Sequence, residues 1–165
     1  MIKPGRIILC EDDRALLGEA QVMLITKGYT PFIAKLSNIF TIDYWKRMSP
    51  TKDDLIVMDL NFKDYTDSKT GQRVTLNYSG LDILKLLNKE QKTQLPGLEQ
   101  VLVATSLKNQ LTSPYLCLDI GNFKLYDLEK AVSGDRKTIN VRSYGQALVD
   151  KIDAIYAKTA KPINR

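Results

Sequence analysis

Acidic residues gather where an apolar run ends. In RIILCEDDRA, Arg6 to Ala15, four apolar residues lead straight into Glu11, Asp12 and Asp13. Far along the chain, DDLIVMD carries an apolar run from Leu55 to Met58 into another acid, Asp59. Carboxylates beside a buried strand are costly unless something holds their charge. If those two ends meet, the like charges raise one another's pKa until a cation intervenes. A hard divalent ion suits them, and Mg²⁺ best, because it takes few carboxylates and keeps waters and phosphate oxygens in its shell. A third run, QVLVATS, ends in the hydroxyls of Thr105 and Ser106, which could hydrogen-bond a phosphoryl oxygen. A lysine near the end of a further strand could neutralise another such oxygen. A carboxylate nucleophile, a metal, a hydroxyl and a cation are the parts of a phosphoryl-transfer site.

That chemistry needs the strand ends to be neighbours. RIILC reads as a strand buried on both faces. Leu16, Leu17, Ala20, Met23 and Leu24 share one helical stripe, and Gly28 is a C-terminal stop. TPFIA reads as a second strand with Pro31 near its beginning. Ser37 is placed to cap a helix through NIFTIDYWKRM, with Ile39, Phe40, Ile42 and Trp45 as its apolar set. DDLIVMD is the third strand. The polar segment from Phe62 to Tyr78 breaks the rhythm; SKTG has turn chemistry, and QRVTLNY could be the return arm of a hairpin. SGLDILKLLNKE is an amphipathic helix with Leu81, Leu84 and Leu87 inward, and QVLVATS is the fourth strand. Ser113, Pro114 and Gly121 fit the cap, first turn and stop of a short helix. FKLYDLEK is a fifth strand, and SYGQALVDKIDAIYAK is the last helix, with Leu148, Ile152, Ile155 and Tyr156 inward.

Strands alternating with helices predict an α/β fold with a parallel sheet covered on both faces. Five such units with right-handed crossovers suit the doubly wound, flavodoxin-like strand order 2-1-3-4-5. The expectation is one domain over residues 1–160, an inserted loop or hairpin at about 62–79, and a C-terminal tail at 161–165. In that order the ends of strands one and three are adjacent, so Glu11, Asp12 and Asp59 converge in one crevice. Asp13 is better placed to cap the first helix.

Composition narrows the function. The chain has 165 residues, enough to close a core without disulfides or metals. No apolar run approaches the ~20 residues of a membrane span. MIKPGRIILC has too short an apolar core for a signal peptide, so a cytoplasmic protein without a membrane partner is expected. Cys10 and Cys117 lie far apart in apolar settings and read as two reduced buried thiols, not a zinc site. The absence of histidine excludes a Ser-His-Asp or Cys-His nucleophile and a phosphoryl group borne on this chain's own histidine. The net charge of +5 is spread along the chain, which argues for a solvated surface and against a nucleic-acid face.

IILCEDD, LIVMDLN, SGLDILKLL and VLVATS, in that order, resemble the receiver domain of two-component response regulators, over about Arg6 to Lys158. The resemblance implies that Asp59 accepts a phosphoryl group. It implies that Glu11 and Asp12 hold Mg²⁺ with Asp59, that Asn61 offers its backbone carbonyl to the metal, and that Thr105 is the switch hydroxyl. The family's Lys-Pro pair is absent between Thr105 and the last helix. Lys130 fits the lysine's place best by distance from Thr105, and Lys124 is second. Tyr126 is the nearest candidate for the family's switch aromatic, though not at the expected offset. The partners implied are a histidine kinase or phosphotransfer protein and a downstream protein target. Self-catalysed phosphotransfer and dephosphorylation are the only reactions expected, so the chain is not read as an enzyme. A homodimer is left open. KTAKPINR holds no output region, so the chain either acts through protein contacts or ends in the start of a linker.

Two other readings stand beside this one. A receiver-like binding module would keep the fold without phosphorylation, and the missing Lys-Pro and the insertion favour it. A Toprim-like, metal-dependent nucleic-acid enzyme would also place a Glu after strand one, but Asp59-Leu60-Asn61 lacks that class's second acid.

Overall fold

Alternation of side chains decides how the layers form. The computed structural model describes residues 5–61, 64–67, 69–76, 78–106, 120–130 and 140–164. Its elements are β1 (Arg6–Cys10), α1 (Arg14–Thr26), β2 (Thr30–Ile33), α2 (Ile42–Met48), β3 (Leu55–Asp59), β4 (Asp64–Thr66), β5 (Arg73–Thr75), α3 (Gly80–Gln94), β6 (Gln100–Thr105), β7 (Lys124–Glu129) and α4 (Val141–Tyr156). Ile7 and Leu9 of β1, Leu55 and Val57 of β3, and Leu102 and Ala104 of β6 face α1 and α4. Their neighbours Ile8, Cys10, Ile56, Met58, Val101 and Val103 face α2 and α3 on the other side. A strand covered on both faces must be apolar throughout, which is why these runs do not alternate with polar residues.

The five-stranded sheet has the order β2-β1-β3-β6-β7, all parallel. This is the expected 2-1-3-4-5 arrangement. The two additional strand numbers belong to the antiparallel hairpin β4–β5, which is the insertion. β2 lies at an edge and is largely exposed, where Pro31 withdraws no donor from an inner ladder.

The helices are held by what they bury and how they begin. Leu16, Ala20 and Leu24 of α1 are buried, and Leu17 and Met23 flank them. Asp13 caps α1, its Oδ1 accepting from the Ala15 and Leu16 amides at 2.9 and 3.1 Å. Ser79 and Asp82 cap α3 reciprocally. Asn140 caps α4, whose Leu148, Val149, Ile152 and Ile155 are buried. The expected second helix starts later than the sequence suggests, at Ile42 with Thr41 before it, and Ser37 lies in the preceding turns. With 7 residues it is shorter than the roughly 12–15 an isolated helix needs, so packing must hold it. Trp45 supplies that anchor. It is fully buried, and its indole donates to the Ile39 carbonyl at 2.6 Å. Phe40, expected in the same apolar set, is 45% exposed and stacks on Tyr78 instead.

At the N-terminal ends of the strands, Asp54 accepts from the Arg6 amide at 2.7 Å, from Arg6 Nη2 at 2.8 Å and from the Thr51 amide at 2.9 Å. Cys10 is a buried free thiol, and burial pushes its pKa up. Cys117 and the expected helix from Ser113 lie outside the described residues. Among the described residues, no helix is long and apolar enough to cross a membrane.

Candidate functional site

Strand register brings the candidate residues level. Cys10 pairs with Met58, so Glu11 follows β1 beside Asp59, the last residue of β3. Asp59 pairs with Ala104, which puts Thr105 one step beyond it at the end of β6. Thr105 pairs with Glu129, and the next residue is Lys130. The ladder runs one bond further, from the Lys130 amide to the Thr105 carbonyl at 2.9 Å. Four parallel strands therefore deliver Glu11, Asp59, Thr105 and Lys130 to the carboxyl edge of the sheet, where ligands bind in open α/β folds.

Carboxylate oxygens of Glu11, Asp12 and Asp59 all lie within 4.8 Å of one another. Lys130 enters this group. Its Nζ lies 2.5 Å from Glu11 Oε2 and 3.3 Å from Asp59 Oδ2, and its side chain is only 3% exposed. Burial disfavours the ammonium charge, but the two carboxylates more than offset this, and the Lys130 pKa is raised. Glu11 is pushed up to about 8, first by burial and then by the charge on Asp59, with Lys130 pulling the other way. One lysine thus faces a cluster of three carboxylates. Three hard oxygen donors with a shortfall of positive charge fit a divalent cation, which Glu11, Asp12 and Asp59 could hold.

The remaining candidates separate. Thr105 is fully buried and accepts at Oγ1 from Asn61 Nδ2 at 2.6 Å. The Asn61 amide also donates to Asp59 Oδ1 at 3.1 Å, so Asn61 bridges the acid and the hydroxyl. Lys124 starts β7 opposite Gln100, at the far end of the strand. Tyr126 is buried in mid-strand against the layer of α1 and α4. Another aromatic reaches the lysine. Tyr144 of α4 lies with its ring centroid 5.5 Å from Lys130 Nζ. Its distance along the chain gives no sign of this; only the inward stripe of the last helix could have suggested that it reaches the sheet's edge.

Glycine is needed where α3 begins. A Cβ on Gly80 would stand 1.8 Å from the Asp59 carbonyl oxygen, so α3 can approach the end of β3 only with hydrogen at this position. The insertion does not wander from the site either. Its turn is fixed by Asp67, whose Oδ1 accepts from the Lys69 and Thr70 amides at 2.7 and 3.0 Å. Gly71 completes it at φ 69°. The segment after β5 is pinned by Tyr78, which donates from its hydroxyl to the Leu36 carbonyl at 2.5 Å and stacks on Phe40 at 4.6 Å.

A doubly wound five-stranded sheet with acids following β1 and ending β3, a hydroxyl ending β6 and a lysine after β7 has the fold of response-regulator receiver domains. A receiver domain from Rhodospirillum rubrum matches with a TM-score of 0.59 and 20% identity, over 96% of this chain and 97% of that one. The phosphorylated cyanobacterial phytochrome response regulator RcpA matches with a TM-score of 0.60 and 18% identity, over 96% and 97%. The Mn²⁺-bound response regulator Rcp1 matches with a TM-score of 0.56 and 19% identity, over 96% and 99%. No protein-family model matches the sequence, and no curated protein does.

Proposed function

We propose that the chain is a signalling receiver in which Asp59 accepts a phosphoryl group, with a divalent cation, Mg²⁺, held by Glu11, Asp12 and Asp59. The backbone carbonyl of Asn61 completes that set. The observation that carries this reading is the meeting of Lys130 with Glu11 and Asp59 beside the Thr105 hydroxyl. Likeness to one neighbour described as phosphorylated and another described as Mn²⁺-bound supports it.

A carboxylate oxygen of Asp59 attacks phosphorus, the bond from phosphorus to the donor's nitrogen or acyl oxygen breaks, and an aspartyl phosphate results. Lys130 stabilises charge on the phosphoryl oxygens, and Thr105 donates a hydrogen bond to one of them. Glu11, Asp12 and Asp59 would hold a divalent cation that would neutralise further charge on those oxygens. The donor is a histidine kinase or phosphotransfer protein, the kind of donor that the likeness to receiver domains suggests. The new charge alters the surface around Thr105 and the hairpin, where a downstream protein reads it. The setting is the cytoplasm.

Incubation with Mg²⁺ and acetyl phosphate, followed by mass spectrometry, tests the proposal. The expected result is a gain of one phosphoryl group that requires the cation and disappears in Asp59→Ala. No gain, or one that survives the substitution, would leave a binding module with a receiver fold.

A further inference from the structure

The inserted hairpin walls a second space. A cleft of about 490 Å³ lies between the start of α1, the segment after β2 and the turn of the hairpin. That volume falls among small-molecule sites, roughly 300–1,000 Å³, and far exceeds what one hydrated ion needs. Leu17, Ile33 and Leu36 give it apolar wall, and Arg14, Lys35 and Lys69 give it positive charge. Glu11 and Asp12 line it as well, so the cleft is continuous with the acidic crevice.

Its walls are held in place before any ligand arrives. The Lys35 amide donates to the Tyr44 hydroxyl at 2.9 Å, the Leu36 carbonyl is tied to Tyr78, and Asp67 orders the turn that carries Lys69. The Asp67 carboxylate is engaged with turn amides. The Lys35 ammonium has no ion-pair partner among the described residues. A preorganised cleft with an apolar wall and exposed ammonium groups selects an anion with an apolar body. Phosphate suits it better than carboxylate, because one phosphate can pair with two lysines and also lend an oxygen to a cation held by Glu11 and Asp12.

We propose that this cleft binds a small organic phosphate of mononucleotide size, its body against Leu17, Ile33 and Leu36 and its phosphate paired with Lys35 and Lys69. The proposal rests on the metal half of the function above. Glu11 and Asp12 at the edge of the cleft repel a phosphate until a divalent cation is held there, so affinity should depend on Mg²⁺.

The test is titration of the ¹⁵N-labelled full chain with AMP, with and without Mg²⁺, and with inorganic phosphate as the comparison. The expected result is saturable shifts at the amides of Leu17, Lys35, Leu36 and Lys69 that are stronger with Mg²⁺. Lys35→Gln with Lys69→Gln should weaken binding about five- to tenfold, while acetyl phosphate still labels Asp59. Absence of saturable shifts, equal binding of inorganic phosphate, or binding unchanged in the double variant would overturn the proposal. AMP binding without labelling of Asp59 would sink phosphotransfer and leave the cleft standing. Labelling without AMP binding would sink the cleft alone.

Discussion

Asn61 donates from Nδ2 to the Thr105 hydroxyl at 2.6 Å, joining the loop after β3 to the last residue of β6. A hydroxyl that accepts one hydrogen bond keeps its proton for donation. The contact uses the acceptor side of the Thr105 hydroxyl, whereas a phosphoryl oxygen on Asp59 would use its donor side. Thr105→Val keeps the shape but removes both functions, at a cost of about 1–2 kcal/mol because the Asn61 amide loses a buried acceptor. We expect the variant to fold and to take the phosphoryl group, but to lose the amide shifts at Leu60, Asn61 and Ser106 that phosphorylation causes in the parent. NMR spectra before and after acetyl phosphate decide this; identical shifts in both proteins would separate Thr105 from the response.

Lys130 stands between two buried acids, so its removal should be felt twice. Lys130→Met retains the stem and leaves Glu11 and Asp59 without their shared cation. Breaking a buried ion pair in this way costs roughly 3–5 kcal/mol. Urea unfolding should show that loss, and Mg²⁺ should restore part of it by supplying positive charge to the same oxygens. Labelling of Asp59 should slow by about a hundredfold, as when a preorganised donor to a developing oxyanion is removed. Lys124→Met, at the other end of β7, should change neither quantity.

The contrast between those two lysines shows where reading the sequence stops. Apolar runs buried on both faces are visible in the residues alone, so β1, β3 and β6, their order and the convergence of Glu11, Asp12 and Asp59 could be expected. The side of the sheet a lysine reaches depends on where β7 ends, and FKLYDLEK offers two lysines at its two ends. The pairing of Thr105 with Glu129 is what brings Lys130 to the acids. The start of α2 was hidden for a similar reason. Ile39 and Phe40 have helical spacing with Trp45, but Phe40 answers to Tyr78, 38 residues away, which no local pattern records. Tyr144 reaches Lys130 only because α4 packs on the edge of the sheet.

Gly80 is where the helix meets the acceptor strand. A methyl group there would overlap the Asp59 carbonyl, which is backbone and cannot swing aside. Gly80→Ala should push α3 away from β3 and cost about 1–3 kcal/mol or more, as overpacking does. The displaced backbone carries Asp59 with it, so phosphoryl acceptance should fall even at temperatures where the variant is folded. A variant with parental stability and labelling rate would show that α3 does not rest on this contact.

Asp54 offers a stability change remote from the site. Burial opposes its charge, but hydrogen bonds from the Arg6 guanidinium and from the Thr51 and Arg6 amides outweigh this and hold its pKa below the ordinary value. A carboxylate depressed on folding contributes stability that is present above its unfolded pKa, about 3.9, and is lost as pH falls through the lower folded value. Asp54→Asn should therefore be less stable at neutral pH, by about 2 kcal/mol for hydrogen bonds to a charged group. The gap from the parent should close as pH drops below about 4. Urea midpoints measured across that range, with Asp59 labelling unchanged at pH 7, are the check. A gap independent of pH would mean that the carboxylate charge is not what Asp54 contributes.

The hairpin can be loosened without touching the acids. Tyr78 holds it in two ways, by its hydroxyl on the Leu36 carbonyl and by its ring on Phe40. Tyr78→Phe removes the first at about 1 kcal/mol. Phe40→Ala removes the second at roughly 0.5–1.5 kcal/mol beyond lost area, as stacked aromatic pairs do. Because both contacts join the same two segments, loss of one should reduce the cost of losing the other, and the double variant should show a coupling of at least about 0.5 kcal/mol. Hydrogen exchange should accelerate at the amides of β4 and β5, while β1, β3 and β6 keep their protection. AMP affinity should fall with it, since Lys69 rides on this hairpin. Retained exchange rates would assign the hairpin's position to other contacts, and retained AMP affinity would remove its turn from the cleft.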